Sequence, residues 1–300
     1  MSKRTKIWLI VAGCLILAGA ILFSAVLMTN DLDFAKLSTS RYETNTYTLD
    51  EAFSNIQINT QEADVIFVLS EDNTCKVTCY EQENAKHLVT VKNSSLQIGV
   101  KNEKKWYEYI GINFSTPRIT VSLPQSQYDA LFIESSTGCI KIPQDFQFKN
   151  LDISLSTGDV KSNASATENM KITTTTGNIH IENISAKDIN LTVSTGDIKL
   201  TNVQCDTLAA KGTTGRTVLE NVLAADLFSI HRSTGDIKLD GCDAGELIVK
   251  TTTGDITGSL LSDKIFVAKT STGTVSVPQT TSGGKCEVIT TTGDIRLRIG

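Results

Sequence analysis

One short phrase returns nine times between Ser136 and the end of the chain, and it decides what the chain can fold into. It begins as STGC at Ser136 and ends as TTGD at Thr291, with its glycines at 138, 158, 177, 196, 215, 235, 254, 273 and 293. Successive glycines are 19 or 20 residues apart. A constant period over more than half of a chain is the mark of stacked repeats. Aligned on the glycine, each repeat carries the same apolar columns. Two places after it stand Ile140, Val160, Ile179, Ile198, Thr217, Ile237, Ile256, Val275 and Ile295. Five and seven places before it the column is again apolar, from Ile133 and Leu131 to Val288 and Cys286. Apolar residues two apart on both sides of Thr-Gly give strands with one buried face. Glycine suits the corner between them because it reaches positive φ without steric cost. A single repeat cannot bury its own apolar face, whereas stacking sets isoleucine on isoleucine. β-Branched runs broken by glycine every 19 or 20 residues exclude helices. The expected fold is all-β, a parallel β-solenoid roughly 40 Å long at about 4.8 Å per turn.

Composition narrows the function classes. A net charge of −5 and a pI near 5.3 speak against nucleic acid as a partner. The seven cysteines show no zinc spacing; Cys75 and Cys79 form a C-x3-C with no second pair. In a strand those two stand roughly 13 Å apart, too far for a disulfide unless the chain turns between them. No G-x-S-x-G, H-E-x-x-H or P-loop occurs, and His87, His180 and His231 lie in different contexts. The chain reads as a non-enzyme, and no cofactor is implied. Asp197, Arg216 and Asp236 are the one acid–base trio on a common column, but short regular turns build no cleft around them. The residue after each glycine forms that column, and Asp236 with Asp255 is its pair of adjacent acids, the candidate metal site. Calcium takes six to eight oxygens, more than a single file supplies. The plainer role for these aspartates is to accept turn hydrogen bonds beside glycine.

The chain divides as follows. Residues 1–6 are a basic tail and 7–28 an uncharged run long enough to span a bilayer. Basic residues before the run and Asp31 and Asp33 after it place the N-terminus in the cytoplasm and the rest outside. A cleaved signal ending near Ala18-Gly19-Ala20 and a lipoprotein box at Val11-Ala12-Gly13-Cys14 are the competing readings. Residues 29–44 read as a linker, 45–130 as an irregular β cap, and 131–300 as the solenoid of nine turns. A separate small β domain is the alternative for the cap. The cluster Lys101 to Tyr109 (KNEKKWYEY) reads as a hairpin tip or a binding loop. The last turn has no polar cap sequence after it, so an open strand edge is expected at the C-terminus, closed by self-association or by a partner.

The repeated phrase I-x-x-[ST]-T-G-[DN]-[IV]-x-[IL], with the lead-in Leu123-Pro124 … Tyr128-Asp129-Ala130-Leu131, resembles a bacterial family of β-strand-repeat proteins. Its members are described as adhesin candidates, are often membrane-anchored and have no assigned molecular function. The resemblance covers roughly residues 45 to 300. It implies a β-solenoid displayed on the cell envelope as a binding or adhesion surface, facing a cell-wall polymer or an envelope protein. The other role it implies is a structural or regulatory accessory of an envelope stress-sensing system. It brings no functional residues to carry over. Ice binding through the threonine ladders fits less well, because Lys211, Arg232, Lys250 and Lys269 stand beside them.

Overall fold

A computed structural model describes residues 2–29, 31–32, 41–102 and 115–300. Most of the KNEKKWYEY cluster lies outside the described residues. The apolar N-terminal run forms one helix, Lys3–Thr29, with no buried residue. At 1.5 Å per residue its 27 residues are about 40 Å long, enough to cross a membrane. A secretory signal has the same character. The first strand, Tyr42–Leu49, starts inside the expected linker and pairs antiparallel with Cys75–Gln82.

The rest is a parallel β-solenoid. In a regular coil such as Ile179–Thr195, the inward residues are Ile179, Ile181, Ile184, Ala186, Ile189, Leu191 and Val193, all buried. The in–out alternation breaks at Glu182-Asn183, at Lys187-Asp188 and at the Thr-Gly corner, so each coil has three flat runs. Asn183 takes a left-handed φ of 55°, and Asn202 and Asn221 repeat it at 53° in the next coils. Asparagine tolerates that conformation better than other side chains. Register holds like residues together: Ile179 lies on Ile198, Ile181 on Leu200, Ile184 on Val203.

The corner glycines are required twice over. Their φ values lie between 127° and 146°. A Cβ on any of them would also stand only 1.9–2.3 Å from the carbonyl oxygen of the corner below, so the stack could not close. Those contacts give the spatial order of the corners: Ala63, then Gly138, Gly158, Gly177, Gly196, Gly215, Gly235, Gly254, Gly293 and finally Gly273. The last two coils are exchanged relative to the chain. Gly284–Thr292 lies between Leu247–Lys250 of the longer strand Ile237–Lys250 and Lys264–Thr272, parallel to both.

The open edge expected at the C-terminus is therefore displaced. The terminal strand Ile295–Ile299 is covered on one side by Ile256–Leu260 and meets Val275–Ser276 on the other. Among the described residues, the unpaired edge at this end belongs to Lys264–Thr272 and Val275–Ser276, where Ile265 is 47% and Val267 51% exposed. The C-terminal coil takes the inner place, where its inward residues Cys286, Val288, Ile295 and Leu297 are buried.

The N-terminal end mirrors this exchange. Asn55–Thr60 and Asp64–Leu69 form a coil resting on Gln127–Thr137 and Ile140–Ile142. Beyond it, and later in the chain, Ser95–Asn102 and Arg118–Leu123 add a further coil. Antiparallel strands Ala85–Lys92 and Cys75–Gln82 then cover that end.

Candidate functional site

The column after each corner glycine is an inter-coil cap. Asp159 Oδ1 accepts the Asn178 amide at 2.7 Å, Asn178 Oδ1 that of Asp197 at 2.9 Å, and Asp197 Oδ1 that of Arg216 at 2.7 Å. Asp236 Oδ1 takes the Asp255 amide at 2.9 Å, Asp255 that of Asp294 at 2.8 Å, and Asp294 that of Thr274 at 2.7 Å. Accepting the Thr274 amide and hydroxyl holds the Asp294 carboxyl below its ordinary range, with Arg296 adding to the effect. Asp236 and Asp255 thus stand in adjacent coils with one oxygen of each already bonded. Arg296 Nη1 lies 3.9 Å from Asp255 Oδ2. Of the trio, the structure joins Arg216 to Asp197, Nη2 to Oδ2 at 3.1 Å, while Asp236 bonds to the coil above.

The histidines are dispersed. His180 Nε2 is 3.6 Å from Glu182 on its own strand. His231 sits half-buried on an outer face with Lys211 and Lys250 in neighbouring coils, and burial followed by those two charges pushes its pKa down. Around it runs a shallow groove of about 470 Å³, lined by Thr192, Ser194, Lys211, Thr213, His231 and Ser233 among others. A second groove of about 430 Å³ follows the asparagine corner, where Asn202 Nδ2 donates to Asn183 Oδ1 at 2.8 Å and Asn221 Nδ2 to Asn202 Oδ1 at 3.1 Å. Both grooves are open surfaces of the rod. They suit an extended ligand laid along the coils better than a small molecule held in a pocket.

The densest polar cluster lies in the cap, and the sequence reading passed over it. Cys79 and Glu81 alternate on one strand, and His87 follows across the hairpin that pairs Gln82 with Ala85. All three are buried. The signal was a C-x-E on a strand with a histidine six residues on, hidden because Cys79 was weighed only against Cys75. The cysteines are all free. Burial pushes the Cys75 and Cys242 thiols up to about 11 and those of Cys205 and Cys286 to about 12. Cys79 is also pushed up to about 12, by burial and by the Glu81 charge.

Several solved structures are similar to this chain to different degrees. A candidate lipid-binding protein from Parabacteroides distasonis ATCC 8503 is 13% identical, with a TM-score of 0.54 over 87% of this chain and 98% of its own. A candidate adhesin from Bacteroides fragilis NCTC 9343 is 15% identical, with a TM-score of 0.43 over 87% and 97%. A candidate adhesin from Parabacteroides distasonis ATCC 8503 is 13% identical, with a TM-score of 0.47 over 86% and 98%. At such identities the likeness is one of architecture. Among curated proteins none matches the sequence. A family model does match, over residues 53–225 and again over 213–300, spanning the cap and all nine corners. The chain belongs to the Toastrack DUF4097 family.

Proposed function

We propose that this chain is a membrane-anchored, extracytoplasmic binding rod that works without catalysis, and that it holds an extended anionic polymer of the cell envelope along one face. The observation that carries the reading is the groove beside His231. There Lys211, His231 and Lys250 follow one another in register, flanked by the hydroxyls of Ser194, Thr213 and Ser233. A repeat near 4.8 Å places one cation or imidazole per coil, a spacing suited to a chain of phosphates or carboxylates. Lys250 shares its charge with Glu287 at 2.5 Å, so Lys211 is the freer end of the run; beyond Lys250 the exchanged coil places Ile289 in the register, and Lys269 resumes it one coil further out.

The test is co-sedimentation of the detergent-solubilised full chain with purified cell walls. Saturable binding that weakens with salt and falls at least threefold in the K211E/K269E variant is expected. Wall binding indifferent to both would overturn the polymer reading. A chelator arm addresses Asp236 and Asp255, our candidate cation pair: loss of binding with chelator that D236N/D255N reproduces would make them ligands as well as turn formers.

A second reading is a regulatory accessory of an envelope stress-sensing system, docked through protein contacts. It is favoured by the unpaired edge of Lys264–Thr272, whose half-exposed Phe266 and Ala268 have no coil above them. No wall binding in any arm would put this reading first.

A further inference from the structure

We infer that Cys79, Glu81 and His87 form a buried site for one zinc-class divalent ion, which staples the hairpin that closes the cap. The three residues are 0%, 0% and 5% exposed. Sγ, a carboxylate oxygen and an imidazole nitrogen all lie within 4.8 Å of one another, the one such grouping among the described residues. One sulfur, one nitrogen and one oxygen donor make a borderline-soft set that suits zinc; calcium and magnesium prefer oxygen alone. The charges also close. A thiolate and a carboxylate with a neutral imidazole neutralise a divalent ion, as a site without solvent requires.

In the ion-free state hydrogen bonds hold the ligands in place. Glu81 Oε2 accepts from the His87 amide and from His87 Nδ1, both at 2.6 Å, and Oε1 accepts from Asn45 Nδ2 at 2.8 Å. His87 Nε2 lies 3.1 Å from Thr60 Oγ1, and Tyr47 donates to the His87 carbonyl at 3.2 Å. Asn45, Thr60 and Tyr47 are thus an outer ring of the kind that orients metal ligands. The Glu81–His87 pair does not account for Cys79, which stands beside it without a role in the hydrogen bonding.

Two ligands on one zinc are roughly 3.3 Å apart, given bonds of about 2.0–2.1 Å, so the 2.6 Å contact must open by several tenths of an ångström. The slack lies on the Thr60 side. There Gln82 Oε1, the one buried side-chain polar atom left without a partner among the described residues, borders with Thr60 and His87 a void of about 30 Å³. That recess has room for a water, which can fill it once the ring moves or complete the coordination. On binding, the ion–sulfur bond replaces the Cys79 S–H and that proton leaves to solvent. The His87 proton moves from Nδ1 to Nε2, where Thr60 Oγ1 accepts it, and Nδ1 binds the ion. No electron is transferred.

The experiment uses the full, tag-free chain in detergent, stripped with chelator and then titrated with zinc chloride or cobalt chloride. One zinc per chain, a raised Tm and a thiolate-to-cobalt absorption band are expected. The band should vanish in C79S, while C205S, at a buried cysteine remote from the cap, retains both band and stoichiometry. Cobalt binding without a thiolate band, zinc that C79S still binds one per chain, or no bound ion at all would each overturn the site. The unmodified chain's cobalt spectrum decides even if C79S fails to fold.

Discussion

Gly212, Thr217 and Arg232 each break the repeat, and they do so together. Three places before the corner glycine, Thr174, Thr251, Thr270 and Thr290 donate their hydroxyls to the glycine carbonyl of the adjacent corner, at 2.9–3.3 Å. Gly212 holds that place in its own coil and has no hydroxyl to give. Arg232, 5% exposed in the next coil, reaches down instead. Its Nη1 donates to Gly196 O at 3.2 Å, Nη2 to Arg216 O at 3.0 Å and Nε to Thr217 Oγ1 at 2.8 Å. A Cβ at 212 would stand 1.9 Å from Nη1, so the glycine makes room for the guanidinium. Thr217 replaces isoleucine to accept from it. R232A leaves the Gly196 carbonyl and the Thr217 hydroxyl without this donor, while Arg216 O keeps the Ile198 amide at 2.9 Å, a loss of about 2–3 kcal/mol. The urea midpoint of R232A should fall well below wild type, and that of G212T/T217I/R232T, which restores the common columns, should return most of the way. An unchanged R232A midpoint would refute this coupling. The sequence showed each departure in its aligned column. It did not show their compensation, because that depends on an arginine long enough to span two coils.

The exchanged order of the last coils rests on a comparable device at the scale of the strand. Lys264 is buried and opens the outermost strand, paired with Gly284 of the inner one. With no side chain at Gly284 in the way, Lys264 Nζ reaches past it to Ala244 O at 2.7 Å and Asp243 Oδ1 at 2.6 Å. Burial alone would push the Asp243 carboxyl up, but the bonds from Lys264 and Ser262 bring it below its ordinary value. Its folded pKa is depressed, so its contribution is present above the unfolded value of about 3.9 and is lost as pH falls through the folded one. Removing one partner from such a pair costs about 2–3 kcal/mol, the lower range because the Asp243 side chain is 22% exposed. Protection factors over Lys264–Thr272, taken relative to the intrinsic exchange rate at each pH, should therefore fall below pH 4 in wild type, and at neutral pH in K264M. Equal protection in K264M at pH 7 would show that the lock is dispensable. Glycine spacing could not reveal the exchange, since 254, 273 and 293 keep the same period whichever coil lies outside. The cap coils were equally hidden, because the corner over Gly138 is Gln61-Glu62-Ala63 and carries no Thr-Gly. What was legible was the inward alternation, which depends only on neighbours in sequence.

The whole molecule is a rod with unlike ends. Ten stacked corners, Ala63 and the nine glycines, span roughly 45 Å at about 4.8 Å per step. The first strand, Tyr42–Leu49, lies at the capped end. The other end stops on an unpaired strand with two exposed aliphatics, which protected edges avoid. A second copy is a fitting cover. Two Lys264–Thr272 strands paired antiparallel about a two-fold axis at Val267 would set Ile265 opposite Lys269 and Val267 opposite itself, so no like charges face. Such a contact joins two cores into one and buries the half-exposed Phe266 and Ala268 of both copies. Light scattering of the full chain in detergent should show a dimer that dissociates on dilution, and V267P should be monomeric, because proline at the centre removes an edge donor. A wild-type chain that stays monomeric at high concentration would rule out the homotypic contact. The exposed strand would then be left to a different protein, which crosslinking from position 267 in membranes would capture.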